Sequence, residues 1–200
     1  MPTDLPNLLT LSRIGAIPVL VLFVALHSPW SDFAAALVFT AAGITDYFDG
    51  KLARERQLLS DFGRMLDPIA DKLLVAAALM ALAGFDKLPA YGLYPAIVIL
   101  LRELLVSGLR EYLAEMRVRL PVTKLAKWKT AAQMVALGLL LLGTGGARFM
   151  GLGFLPLAGL GAVLLWLAAA LTLVTGWDYL TTGLRHAAPG TVKSHGGTGA

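Results

Sequence analysis

Asp46, Asp49, Asp67 and Asp71 are the residues of this sequence whose type and spacing could do chemistry. In Asp46-Tyr-Phe-Asp49-Gly50-Lys-Leu-Ala53-Arg54, the offsets 0, 3, 4, 7 and 8 put both acids, Gly50, Ala53 and Arg54 on one face of a helix. In Gly63-Arg-Met-Leu-Asp67-Pro-Ile-Ala-Asp71, the offsets 0, 4 and 8 make a second acidic stripe. Two such stripes on adjacent antiparallel helices can converge. Ionised carboxylates crowded together at low effective dielectric repel strongly, so something must compensate them. Protonation is one solution. Metal is another, because carboxylate oxygens without histidine or cysteine nearby are the ligand set preferred by Mg²⁺, Mn²⁺ or Ca²⁺, and two divalent ions would cancel the four charges. A metal pair of this kind can bind a pyrophosphate and stabilise an in-line displacement at phosphorus. Gly50, lacking a side chain, would let a substrate lie against the helix backbone, and Arg54 would meet phosphate oxygens with its fork of donors.

Plainer roles exist for each residue alone. Paired intramembrane carboxylates also serve proton relays and cation transporters. Arg54 and Arg64 could be no more than basic residues at a membrane boundary, Gly63 a packing or capping glycine, and Asp67 before Pro68 an N-terminal helix cap, which is compatible with metal binding. The joint spacing is what makes coincidence a poor explanation. A transporter would have no need of Gly50 or Arg54, and the internal repeats common in transporters are missing from this sequence.

The elements that must hold these residues are membrane helices. The 200 residues are 57% hydrophobic and only 15% charged, with mean hydropathy +0.71, well outside the soluble globular range. The 21 glycines fit helices that pack closely in lipid. Cysteine is absent, which excludes disulfides and thiolate metal sites. The net charge of +4 is strung along helix ends and not gathered into a patch, so nucleic acid is not an expected partner. The N-terminal decapeptide has no basic stretch or small-residue cleavage site, so the first apolar run is expected to be retained as a span. Apolar runs near 7–28, 33–54, 66–84, 92–116, 125–145 and 153–182 predict an all-α integral membrane fold of six transmembrane helices. Residues 1–186 form the catalytic domain in this reading, and the tail 187–200, rich in glycine, serine and threonine, is expected to be disordered.

Lysine and arginine set the orientation. Lys51, Arg54, Arg56 and Arg64 follow the second run, Arg117, Arg119, Lys124, Lys127 and Lys129 follow the fourth, and the tail adds Arg185 and Lys193. The alternate connections carry only Lys87 and Arg148, so both termini are expected in the cytoplasm (N-in/C-in). Trp30, Tyr91 and Tyr94 fit an outer aromatic belt, and Trp128, Trp177 and Tyr179 an inner one.

The pattern Asp46-x2-Asp49-Gly50-x2-Ala53-Arg54-x8-Gly63-x3-Asp67-x3-Asp71 resembles, in every element, the signature of the CDP-alcohol phosphotransferases, which move a phosphatidyl or similar group from a CDP-linked donor to an alcohol. The resemblance implies that the four aspartates hold two ions, Mg²⁺ or Mn²⁺, and that Asp71 also acts as general base on the incoming hydroxyl. It implies that Gly50 and Arg54 contact the CDP portion, that Ser60 stands near the donor, and that Asn7 and Thr10 line the cytidine site. A homodimer in the bacterial cytoplasmic membrane, with its site facing the cytoplasm, is implied by the same likeness.

The likeness extends to Arg102-Glu-Leu-Leu-Val-Ser-Gly-Leu-Arg110-Glu-Tyr and Lys127-Trp-Lys-Thr-Ala-Ala-Gln-Met134, which resemble the branch of the family using CDP-diacylglycerol as donor and sn-glycerol 3-phosphate as acceptor. The residues themselves agree. Arg102 and Arg110, eight apart, share a helix face, and Lys127 and Lys129 open the next helix, so together they could hold an acceptor's phosphate. Each could instead be a simple cytoplasmic-side charge, but Arg102 lies about two turns inside its span and needs an anionic partner, for which Glu103 and Glu111 are internal candidates. Cardiolipin, phosphatidylserine or inositol-phosphate variants of the scaffold are the competing acceptor types.

Overall fold

The structure, a computed structural model, describes the backbone of residues 5–56, 61–115 and 124–187, and side chains within these except at 5–7, 47–56, 61–65, 115, 124, 178 and 182–187. Among the described residues the chain is all-helical: α1 (Leu5–Ala25), α2 (Pro29–Arg56), α3 (Asp61–Gly84), α4 (Leu93–Glu115), α5 (Lys124–Phe149) and α6 (Leu157–Ala187). Each helix coincides with one apolar run. Segments in α1, α5 and α6, Leu8–Ala25, Leu125–Phe149 and Leu157–Thr181, are by length and composition apolar enough to cross a membrane. The other three helices carry Asp46, Asp67, Asp71, Lys72, Arg102, Glu103 and Arg110, which dilutes their apolarity.

Boundaries moved where local chemistry favoured it. Pro29 lacks an N–H to lose and so opens α2 four residues before the expected start. The break expected from Gly143 does begin there, with the backbone at φ 53°, ψ −164°, a left-handed conformation that suits glycine, but helix then resumes to Phe149. Asp67 is not an N-cap: α3 starts at Asp61, and Pro68 sits inside the helix. Residues 188–200 lie outside the described residues.

The core is mostly aliphatic, drawing Leu20 and Val24 from α1, the aromatic Phe39 from α2, Leu74 and Leu82 from α3, Ile99 from α4, Leu137 and Leu141 from α5 and Leu165 from α6. Leu22, Leu37, Leu101, Val163 and Trp166 face outward. Large apolar side chains on the outside, with small residues such as Ala35, Ala78, Ala136 and Ala168 buried between the helices beside the larger core residues, are what lipid as a solvent demands. The chain is a membrane protein.

The packing order corrects one expectation. α2 and α3, though consecutive, barely touch each other; α1 packs extensively on both and lies between them. α5 joins α2 to α6, and α6 carries α4. The two acidic stripes therefore meet alongside α1 and not through packing of α2 on α3, with Asp46 and Asp71 close enough to share a side-chain hydrogen bond. At the far end of the bundle from the acids, Lys87 pairs with Asp32 at the start of α2.

Candidate active site

α1 supplies what the acidic stripes meet. Arg13, 2% exposed, places one nitrogen, Nη1, 2.8 Å from the Asp46 carboxylate on α2 and 2.5 Å from that of Asp71 on α3. One turn earlier on the same face, the buried Thr10 hydroxyl donates to Asp67. Three acids on two helices are thus gathered by two residues of a third. Among the described residues no three carboxylates close around a common point on their own. Asp49 is the fourth acid of the pattern, and its side chain lies outside the described residues, as do those of Asn7 and Arg54 and the surroundings of Gly50; Ser60 falls in a segment outside them entirely.

Sequence reasoning missed Arg13. Its signal was present: an arginine within an apolar run, three residues after Thr10, must find an anion or leave the membrane. Thr10 was expected to line a cytidine site; its hydroxyl proton goes to Asp67, which leaves the oxygen's lone pairs as acceptors. Lys72, also unremarked in the sequence, follows Asp71 and donates to Ser107 on α4, whose hydroxyl lies 3.5 Å from Glu111.

Arg102 and its neighbours form the other half. Arg102 Nη2 donates to Thr175 Oγ1 at 2.9 Å, Nη1 lies 3.7 Å from Glu103, and the guanidinium stands 5.7 Å from the centre of the Tyr179 ring. Thr175 can accept because its own proton goes to the Leu171 carbonyl at 2.8 Å. The Arg102 stem passes α6 at Gly176, where a Cβ would sit 3.1 Å from Arg102 Cγ and 3.3 Å from Nε, so the close approach depends on glycine. Glu103 is shared, since buried Lys129 pairs with it as well. Glu111 accepts instead from Ser107, at 3.5 Å. Tyr179 is 7% exposed and turned inward, so it belongs to this wall and not to an aromatic belt, while Trp128 and Trp177 are exposed as the belt requires.

The two halves share one cavity of about 820 Å³. Its wall contains Arg13, Asp46 and Asp71 together with Lys72, Arg102, Glu103, Arg110, Lys127, Lys129 and Tyr179. All four basic residues singled out in the sequence reach the same space as two of the acids. Arg110 and Lys127 are exposed and stand at its open side. A second, apolar cavity of about 750 Å³ runs between α2 and α5, past Phe33, Phe39, Gly138 and Leu142. It meets the polar cavity at Gly43 and Met134, which line both.

A space walled by carboxylates on one side and by cations on the other, with an apolar groove beside it, suits an amphipathic phosphate ester. The model of the CDP-alcohol phosphatidyltransferase family matches residues 3–174, and the chain belongs to that family. Individual relatives narrow the comparison. The CDP-diacylglycerol–glycerol-3-phosphate 3-phosphatidyltransferase of Cereibacter sphaeroides is 42% identical over 214 residues, covering 92% of this chain and 97% of the relative. Enzymes of the same name from Rickettsia bellii and Bacillus subtilis are 47% and 38% identical, over 88% and 89% of this chain and 93% and 94% of theirs.

Proposed function

We propose that the chain transfers the phosphatidyl group of CDP-diacylglycerol to sn-glycerol 3-phosphate, giving phosphatidylglycerophosphate and CMP. The observation that carries this reading is the single cavity in which Asp71 and Asp46 face Arg102, Arg110, Lys127 and Lys129. A neutral alcohol would give such a cationic wall nothing to bind; an acceptor that is itself a phosphate monoester does. The names of the relatives support the same pair of substrates.

In this reading the acceptor enters the open side past Arg110 and Lys127, and its phosphate is held by those residues with Lys129 and Arg102. The donor's acyl chains remain in lipid, with the groove between α2 and α5 as their path to the cavity at Gly43 and Met134. Asn7, Thr10, Gly50, Arg54 and Ser60 are assigned to the CDP head. Asp71 accepts the proton of the acceptor's 1-hydroxyl, whose oxygen bonds to the phosphorus bearing diacylglycerol. The bond from that phosphorus to the bridging oxygen breaks, and CMP departs with the bonding pair. Arg54 meets the developing charge on the departing phosphate.

The donor set fits hard divalent cations, because the convergent ligands are carboxylate oxygens and the chain has no cysteine. Asp46, Asp49, Asp67 and Asp71 would hold two ions, Mg²⁺ or Mn²⁺, which when bound neutralise the pyrophosphate. That Asp46 and Asp71 lie within reach of one Arg13 nitrogen supports the fit. We assign all six helices to the membrane, with both termini and the site on the cytoplasmic side of the bacterial inner membrane, residues 1–186 as one catalytic domain, a disordered tail, and a homodimer as the working assembly. The basic connections at the cavity end support the orientation.

The test is CMP release by purified protein with Mg²⁺ or Mn²⁺ and CDP-diacylglycerol across candidate acceptors. Turnover with glycerol 3-phosphate is expected; turnover with serine or inositol phosphate in its place overturns the acceptor and leaves the family intact.

A further inference from the structure

Gln133 lies on α5 one turn beyond Lys129, on the same helix face, and is 3% exposed in the wall of the polar cavity. Its amide oxygen has no hydrogen-bond partner among the described residues. A shielded carbonyl without a donor is a standing cost in a folded protein, and native structures keep few such groups. Leucine or methionine would fill this position without it.

The neighbouring groups say what the oxygen is for. Lys72, Arg102, Arg110, Lys127 and Lys129 can only donate. Of the acids on this wall, Glu103 is engaged by Lys129 and approached by Arg102, and Asp46 and Asp71 are engaged by Arg13. Thr130, on the same wall, gives its hydroxyl proton to the Ala126 carbonyl at 3.0 Å. The cavity thus has cationic donors in excess for a phosphate and, in Gln133, a neutral acceptor held in reserve. An ionised phosphate cannot satisfy that acceptor. A hydroxyl can.

We infer that Gln133 reads the acceptor's second hydroxyl, the one that does not react, so that the site selects phosphate monoesters carrying a vicinal diol. This rests on glycerol 3-phosphate being the acceptor. Its 1-hydroxyl gives its proton to Asp71, its phosphate is held by the cations, and its 2-hydroxyl, between them, donates to the Gln133 oxygen. Gln133 is then a specificity-determining contact, and its amide is satisfied only when the right acceptor is bound.

The experiment compares sn-glycerol 3-phosphate with 3-hydroxypropyl phosphate, which keeps the reacting hydroxyl and the phosphate but lacks the hydroxyl between them. CMP release from CDP-diacylglycerol is followed for wild type, Gln133→Leu and Gln133→Met. Wild type is expected to prefer glycerol 3-phosphate by about tenfold in kcat/KM, the size of one net hydrogen bond. In both variants the preference falls to within about twofold, the loss falls on glycerol 3-phosphate, and the KM for CDP-diacylglycerol is unchanged. Their melting temperatures in detergent without substrate are no lower than wild type, because an unmet buried acceptor has been removed. A variant that keeps the wild-type preference overturns the assignment, and equal kcat/KM for the two acceptors in wild type overturns it without any variant. CMP release by wild type with a different alcohol and with neither phosphate overturns the acceptor reading itself, and the assignment with it.

Discussion

Arg13 Nη1 lies 2.5 Å from the carboxylate of Asp71, and the same nitrogen lies 2.8 Å from that of Asp46. One buried cation on α1 therefore holds together acids from two helices that hardly touch. Its charge offsets part of the repulsion that any approach of Asp46 to Asp71 must overcome.

Replacing Arg13 with glutamine removes that offset. The variant is expected to melt well below wild type in detergent with a chelator present. A buried pair stripped of one partner costs about 3–5 kcal/mol, and less here because both carboxylates are nearly half exposed. Added Mn²⁺ is expected to restore more of the melting temperature to the variant than to wild type, because the ions take over the missing charge. Thermal unfolding with and without Mn²⁺ checks this; equal metal-induced shifts in the two proteins contradict it.

Asp71→Asn keeps the shape of the side chain and can still accept a hydrogen bond from Arg13, but it cannot take a proton. CMP release is expected to fall about 10²–10⁴-fold, the range of a lost general base, or further if metal is lost too. Binding of the CDP portion, followed by protection from unfolding, distinguishes the two. Retained protection with lost turnover identifies the proton acceptor.

The cationic wall divides by exposure. Arg110→Ala and Lys127→Ala change exposed residues at the open side of the cavity and are expected to raise KM for glycerol 3-phosphate several-fold, most visibly at low salt, with little change in stability. Glu103→Gln leaves buried Lys129 without its charged partner and is expected to lower stability by about 1–3 kcal/mol as well as activity. Initial-rate kinetics beside melting curves separate the two behaviours.

Glycine positions give a test confined to packing. At Gly146 an added Cβ would lie 3.0 Å from the Phe33 backbone nitrogen and 3.3 Å from the Asp32 carbonyl carbon, groups that cannot move aside without shifting α2. At Gly43 it would meet only the flexible end of Met134, at 2.7 Å. Gly146→Ala is expected to destabilise by about 1–3 kcal/mol, and Gly43→Ala by much less. Melting temperatures that rank the other way would refute this packing of α2 on α5.

Much of the scaffold was legible from one dimension. Helix identity followed from apolar run length, and the acidic stripes from the helical period, because both are properties of neighbours along the chain. Arg102 was recognisable as a charge that needed a partner, since its depth in an apolar run is local too. Its partners were not: Thr175 and Tyr179 lie on α6, more than seventy residues away, and periodicity carries no information across that separation.

The sequence by itself determined that this is an all-helical membrane chain with four aspartates at a phosphotransferase spacing and basic residues gathered at corresponding helix ends. Only the tertiary structure decided that α1 lies between the two acidic helices, that Arg13 and Thr10 do the gathering, that Tyr179 turns inward, and that Gln133 faces the cavity with an unmet oxygen. The physical reason is that spacing fixes which residues share a face, whereas the choice of opposing face comes from packing and charge compensation between distant segments. A buried arginine finds its anions there, and nothing in its own stretch of sequence names them.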